Sequence, residues 1–199
     1  NNIRSLWDAR DYLDQDIVLL EADVAFDAAV VGALLAQSGS SAAVAPYEPP
    51  LSGTVVRRNG AGQATSFVLG AEQGLHFVTK DTFKTVNIYV LREQLLREQF
   101  LPRLSNAIAA GRVNEYYETI LRDCVADPRA EVDIAAVDIS ASRWSEIDDD
   151  RDLDAAEFLF LDRDAQYDRV QQLHGAYWRY GLVDHSYLYN MHFPPPGML

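Results

Sequence analysis

Two apolar runs that each end in carboxylates constrain this chain more than any other feature. One is Val18-Leu19-Leu20-Glu21-Ala22-Asp23; the other is the alternating run from Ile139 to Ile147, which delivers Glu146 and Asp148. Residues two apart on an extended backbone point to the same side, so Glu146 and Asp148 are expected to act as a pair. Asp149 to Asp152 then opens a helix, with Leu153, Ala156, Phe158 and Leu159 as its expected buried side. Two buried-type strands with acids at their carboxyl ends suggest one hard-cation site made by Asp23 and Asp148, supported by Glu146 and Glu21. Acids after strands also serve as helix caps and solvated turns, so the pattern alone leaves both uses open.

The chain in order gives strands and helices in alternation early and late, with a meander between. Helix is expected from Asn1 to Leu13, strand from Ile17 to Ala22, and a helix capped by Asp27 running to about Gln37. Short strands follow at Ala42–Ala45, Gly53–Arg57, Thr65–Leu69 and Leu75–Thr79, with Asn59-Gly60 as a hairpin signal. Val86–Leu91 is a further strand. A long helix from Glu93 to Ala110, kinked or split by Pro102, leads to another helix from Val113 to Cys124. Asp133–Ile139 and Ser142–Ile147 read as strands, and Leu153 to Leu161 as a helix. This order indicates an α/β fold with a mostly parallel, mixed sheet.

Composition narrows the function. The 199 residues carry a formal net charge of -13, which argues against a nucleic-acid partner, because phosphate backbones need a basic face. No long apolar run or signal-peptide pattern is present, so the expectation is a cytoplasmic protein without a membrane partner. The single cysteine, Cys124, rules out an intramolecular disulfide and a cysteine-based zinc site. The histidines match no metal-ligand spacing, and no nucleophile-elbow sequence supports a Ser-His-Asp arrangement.

Two further groups could carry chemistry. Lys80 and Lys84 bracket a turn that enters a strand, where they could meet a phosphate or phosphonate; exposed lysines flanking a sheet edge are the plainer alternative. Asn114-Glu115-Tyr116-Tyr117-Glu118 sets aromatics beside carboxylates, a combination suited to a small ammonium group, though helical tyrosines also simply pack.

These segments, together with Asn1 to Leu6 and Gly53-Thr54-Val55-Val56, occur in an order that resembles the sugar-phosphate nucleotidyltransferases, in the branch that activates phosphocholine and phosphonates with CTP. The resemblance spans roughly residues 1 to 160, within a nucleotidyltransferase domain expected over residues 1–163. It implies a Rossmann-like nucleotidyltransferase fold and a Mg²⁺-dependent transfer of CMP from CTP, or of another NTP's nucleotide, to 2-aminoethylphosphonate or phosphocholine. By the same resemblance Asp23 and Asp148, with Glu146, would be the metal ligands. Lys84, with Lys80 and Asn87, would serve the phosphoryl group, and Glu115, Tyr116, Tyr117 and Glu118 the amino or choline end.

Two departures stand out. The family's Gly-rich nucleotide loop is expected upstream of Asn1, so the fold should lack its N-terminal βα unit and these residues alone should be inactive. Ala22 also replaces the glycine that the family usually has before the metal-binding Asp.

Residues 164–199 change character: tyrosines, Trp178 and histidines crowd together, ending at Phe193-Pro194-Pro195-Pro196. This stretch reads as a linker that resembles the entry to a fused fold-type I aminotransferase, whose PLP would belong to a downstream module. The alternatives are a non-catalytic binding domain for such a transaminase, or a transaminase activity outright. A homodimer is left open.

Overall fold

The computed structural model describes residues 2–48 and 51–180, with side chains as far as residue 173. The chain divides into two compact units, Asn1–Glu146 and Ile147–Leu199.

In the first unit α1 (Ile3–Asp8) leads to β1 (Ile17–Leu20), β2 (Val24–Phe26) and α2 (Ala29–Leu35). Then come β3 (Ser40–Pro46), β4 (Val55–Arg58), β5 (Ala64–Val68) and the longest strand, β6 (Phe83–Leu91). The helical stretch after β6 is α3 (Glu93–Leu95), a π-helical turn (Leu96–Phe100) and α4 (Leu101–Ala109). α5 (Glu118–Ala126), β7 (Ile134–Asp138) and β8 (Trp144–Glu146) complete the unit.

The main sheet runs β5-β4-β6-β3-β7, and β1 also pairs with β6. β3 alternates between two apolar clusters, as strand geometry dictates. Ala42 and Val44 face one with Tyr89, Leu104, Ile120 and Leu121, while Ala43 and Ala45 face the other with Val30, Leu34, Ile88 and Val90. Helices therefore cover both faces of the sheet, giving the expected α/β architecture. The share of parallel pairing is smaller than expected: β3–β7 is parallel, whereas β1–β6, β3–β6, β4–β5 and β4–β6 are antiparallel. The connections from β3 through β6 lack the helical crossovers that parallel neighbours require.

Local departures from the sequence expectations have local causes. Leu75–Thr79 is not a strand: Leu75 is fully exposed, and the segment is held by local turns, Phe77 N donating to the Gly74 carbonyl and Thr82 to the Thr79 carbonyl, and by Arg57, which donates to the Val78 carbonyl at 3.3 Å and stacks over Phe77. α5 starts at Glu118 rather than Val113. The preceding turn is tied to the start of α1, since Glu115 O accepts from Ile3 N and Tyr117 N donates to Asn2 Oδ1 at 2.9 Å. Asp27 does not cap α2; its carboxylate holds Arg143 at 2.8 Å, locking the end of the β2–β8 ladder. The helix is split next to Pro102, as expected: Pro102 sits in the first turn of α4, directly after the π-helical turn that separates it from α3.

In the second unit α6 (Asp150–Phe160) is capped by Asp149, whose side chain accepts from Arg151 N and Asp152 N. The stretch expected to be a linker from residue 164 is helical in α7 (Arg163–Tyr180). The aminotransferase-like motif beyond Tyr180 lies outside the described residues, as do the side chains of His174, Tyr177, Trp178 and Tyr180. Among the described residues no helix is long and apolar enough to cross a membrane.

Candidate functional site

The site forms where two strands share one edge of β6 without meeting. β1 pairs with the second half of β6 (Ile88–Leu91) and β4 with its start (Phe83, Lys84), leaving a notch at Thr85–Asn87. Opposite, four steps on β6 from Thr85 to Tyr89 face two on β3 from Val44 to Ala42. This bulge puts Asn87 in the left-handed region at φ 58, a conformation asparagine tolerates better than most residues. The distortion turns the Asn87 side chain into the notch.

A chain of polar contacts fills that notch. Lys84 is almost fully buried, and its Nζ donates to Glu146 Oε1 at 2.6 Å and to the Thr85 carbonyl at 2.8 Å. The Asn87 amide donates to Glu146 Oε1 at 3.3 Å and to Glu21 Oε2 at 2.9 Å. Glu21 Oε1 in turn accepts from Asn2 Nδ2 at 2.6 Å, and the Thr85 hydroxyl lies 3.0 Å from Asn87 Oδ1. A buried ammonium needs such partners to stay charged, and a half-buried glutamate supplies them here. Burial raises the Glu21 carboxyl above its ordinary range; the nearby charges of Asp23 and Glu146 push the same way, while Tyr117 and Asn87 oppose them.

Deeper in, Tyr89 and Tyr117 meet edge to face with centroids 5.8 Å apart and planes at 84°. Glu118 lies beside them, 4 % exposed, and burial raises its carboxyl to about 7. The Tyr117 hydroxyl acts on the Glu21 carboxyl and the Tyr89 hydroxyl on Thr85, while Glu118 Oε2 is buried without a hydrogen-bond partner among the described residues.

A cavity of about 740 Å³ opens at the same end of β1, lined by Asn2, Leu6, Leu19, Glu21, Asp23, Tyr116 and Tyr117 among others. Glu21 and Tyr117 link it to the polar chain that ends at Lys84.

The expected residues thus fall into three places. Asp23, Tyr116 and Tyr117 line the cavity, and Lys84, Asn87 and Glu146 form the polar chain, with Glu118 buried beside it. Lys84 is therefore not an exposed edge lysine. Lys80 sits exposed in the turn after Thr79. Glu115 holds Arg112 through paired contacts of 2.6 and 2.7 Å, which keep its carboxyl below the usual range. Asp148 belongs to the second unit, exposed, with its backbone N–H donating to Asp152 Oδ2 at 3.0 Å. Among the described residues, no group of three or more His, Cys, Asp or Glu side chains is placed to hold a metal. Mg²⁺ asks for less, since one or two carboxylates beside phosphate oxygens and water suffice. Asp23 fits that role, being exposed on the cavity wall with no hydrogen-bond partner among the described residues.

Asn2, Thr85 and Tyr89 were not singled out from sequence as site residues. The signal for Thr85 was present: Lys84, Thr85 and Asn87 interrupt an otherwise apolar central strand. Tyr89 carried no such mark.

No protein-family model matches the chain. It is 43% identical over 201 residues to the CMP-5'-(3-aminopropyl)phosphonate synthase of Streptomyces rubellomurinus. That match takes in all of this chain, which spans about a third (32%) of the relative's length. The fold is similar to the CTP:phosphocholine cytidylyltransferase of Streptococcus pneumoniae, with a TM-score of 0.62 and 13% identity over 81% of this chain and 64% of that one. The inositol-1-phosphate CTP transferase of T. maritima gives a TM-score of 0.55 and 15% identity over 80% and 61%. The architecture is that of the nucleotidyltransferases.

Proposed function

We propose that this chain, with its nucleotidyltransferase fold, is the acceptor-binding part of an enzyme that moves CMP from CTP to a small aminoalkyl phosphonate or phosphate and releases pyrophosphate. The observation that carries this reading is the buried cation Lys84, joined through Glu146, Asn87 and Glu21 to a cavity walled by Asp23. Its agreement with a relative named for a CMP-phosphonate product, over the whole of this chain, supports the same conclusion.

The chemistry asks little of the protein beyond placement. A phosphonate oxygen is already anionic, so its attack on the α-phosphorus of CTP needs no general base, and the leaving group is pyrophosphate. What the chain supplies is orientation and charge. Lys84, fixed by Glu146, supplies positive charge for the acceptor's negative end, and Lys80 is assigned to the same end by the family resemblance alone. Tyr116, Tyr117 and Glu118 take the amino end. Asp23 would offer a carboxylate to Mg²⁺, and Asp148 is assigned the same role by the family resemblance alone; the ion would neutralise the triphosphate. The activity is proposed for the full-length protein. PLP plays no part in this reaction.

The test is substitution in the full-length protein. Asp23→Ala and Asp148→Ala should each lower the rate of pyrophosphate release by ~100-fold or more while leaving the fold intact. Near-normal rates in both variants would remove the metal assignment.

A further inference from the structure

We propose that Gln73 is a positioning residue for the transfer: it holds the Gly53 backbone against the Lys84 ammonium and so fixes the cation that serves the acceptor. The inference rests on the nucleotidyl-transfer reading and adds to it a group that acts only through Lys84.

Lys84 is 2% exposed, and its Nζ donates to Glu146 Oε1 and the Thr85 carbonyl. A further contact is steric. A methyl group placed on Gly53 would lie 3.1 Å from Lys84 Nζ and 3.3 Å from its Cε, so bare backbone packs against the ammonium. Gly53 also adopts φ 101, a left-handed conformation that a side chain would strain. Such a backbone persists where its neighbours hold it. The next residue is tied to β6, since the Thr54 carbonyl accepts from Thr85 N and Thr85 Oγ1, both at 3.0 Å. Gly53 itself is held by Gln73, whose Nε2 donates to the Gly53 carbonyl at 2.7 Å and to the Val68 carbonyl at 3.2 Å. Both partners are acceptors, so the side-chain nitrogen must face them, and its oxygen is left for the Tyr47 hydroxyl at 3.4 Å. Gln73 stands on a braced turn, Gly70–Glu72. There Leu69 N donates to Glu72 Oε2, and Arg122 holds the same carboxylate. The consequence for Lys84 is electrostatic. A charge sealed from water is screened weakly, and an ammonium on a four-carbon stem keeps one position only when packed. Without the two Gln73 bonds the Gly53 backbone can lift, water reaches Nζ, and the field of the cation at the acceptor weakens.

The test uses the full-length protein and Gln73→Met, which keeps the length of the side chain and removes its hydrogen bonds. Pulse acetylation with acetic anhydride, read at Lys84 by mass spectrometry, should be ~10-fold faster in the variant, as expected for two lost hydrogen bonds. Cys124, in the core, should stay protected from iodoacetamide, which shows that the fold is intact. Turnover of 3-aminopropylphosphonate with CTP should lose ~10-fold in kcat/KM for the acceptor, with KM for CTP unchanged. In a Lys84→Met background Gln73→Met should have no further effect, because it acts through Lys84. Gly53→Ala, which crowds the ammonium directly, should be non-additive with Lys84→Met in the same way. An unchanged Lys84 labelling rate, or a Gln73→Met loss that persists in full beside Lys84→Met, would overturn the proposal. Exposure of Cys124 together with Lys84 in both variants would overturn it too, since that is loss of fold rather than of position. If the wild-type protein turns over nothing, faster Lys84 labelling with Cys124 protected still supports the packing role, and the failure falls on the transfer reading alone.

Discussion

The two halves of β6 are buried to a similar degree and built on opposite principles. Ile88 to Leu91 is an ordinary core strand, with every residue at most 1% exposed and packed against one or other apolar cluster. Lys84 to Asn87 occupies the same strand one turn of pleat earlier, yet carries an ammonium, a hydroxyl and an amide into the interior. The apolar half stabilises the fold by removing apolar area from water. The polar half carries a desolvation cost that its partners Glu146, Glu21, Thr54 and the Thr85 carbonyl offset. Where a strand abandons the cheaper solution, the polar groups have a use besides folding.

That contrast can be broken from either side. The largest effect on stability belongs to the apolar half: Leu91→Ala should cost about 2–5 kcal/mol in urea unfolding, with the transfer rate per folded molecule unchanged. In the polar half, Lys84→Met should do the reverse. Transfer should fall by ~100- to 1,000-fold, while stability changes by less than ~2 kcal/mol, because Glu146 is partly exposed and keeps Asn87. A Lys84→Met protein that unfolds but retains its rate would reverse the assignment of the two halves.

Glu118 sharpens the comparison through pH. Its carboxyl is raised by burial from 4.5 to about 7, so between those values the folded protein holds a proton that the unfolded chain has released. The Glu118 contribution to stability is therefore fully present below about pH 4.5 and is lost as the pH rises through 7, and the raised Glu21 carboxyl adds a slope of the same sign, whereas the lowered carboxyls of Asp16, Asp27, Glu115 and Asp127 lose theirs only in more acidic solution. Glu118→Gln should flatten that decline and stabilise the unliganded protein at pH 8 by ~3 kcal/mol. Urea unfolding at pH 5 and pH 8 checks it; a wild-type protein equally stable at both would contradict the burial argument.

The smallest effect concerns the bulge. Asn87→Gly keeps the left-handed backbone and Asn87→Ala strains it, so alanine should be the less stable of the two by ~1 kcal/mol. Both should lose the hold on Glu21 and Glu146, and so lose transfer alike.

Much of this was legible from the residues. Asn59-Gly60 sits in the β4–β5 hairpin, where the Asn59 side chain accepts from Ala61 N and Gln63 N. The acids after Ile147 do open a helix, through the Asp149 cap. Local chemistry of this kind is written within a few residues. Lys84 was visible as a phosphate-compatible lysine, but its burial was not, because its partner Glu146 lies 62 residues away. The burial of Glu118 was not legible either, since nothing in its neighbours shows that Asn2 ties down the preceding turn from 115 residues away. The Leu75–Thr79 alternation was misleading, because periodicity marks a strand only when another strand is there to pair with it.

The most direct measurement is ³¹P NMR of the full-length protein with CTP, Mg²⁺ and 3-aminopropylphosphonate. The account predicts a phosphonate–phosphate anhydride of CMP appearing together with one equivalent of pyrophosphate, and neither forming with Lys84→Met. An unchanged CTP spectrum with a folded wild-type protein would contradict it.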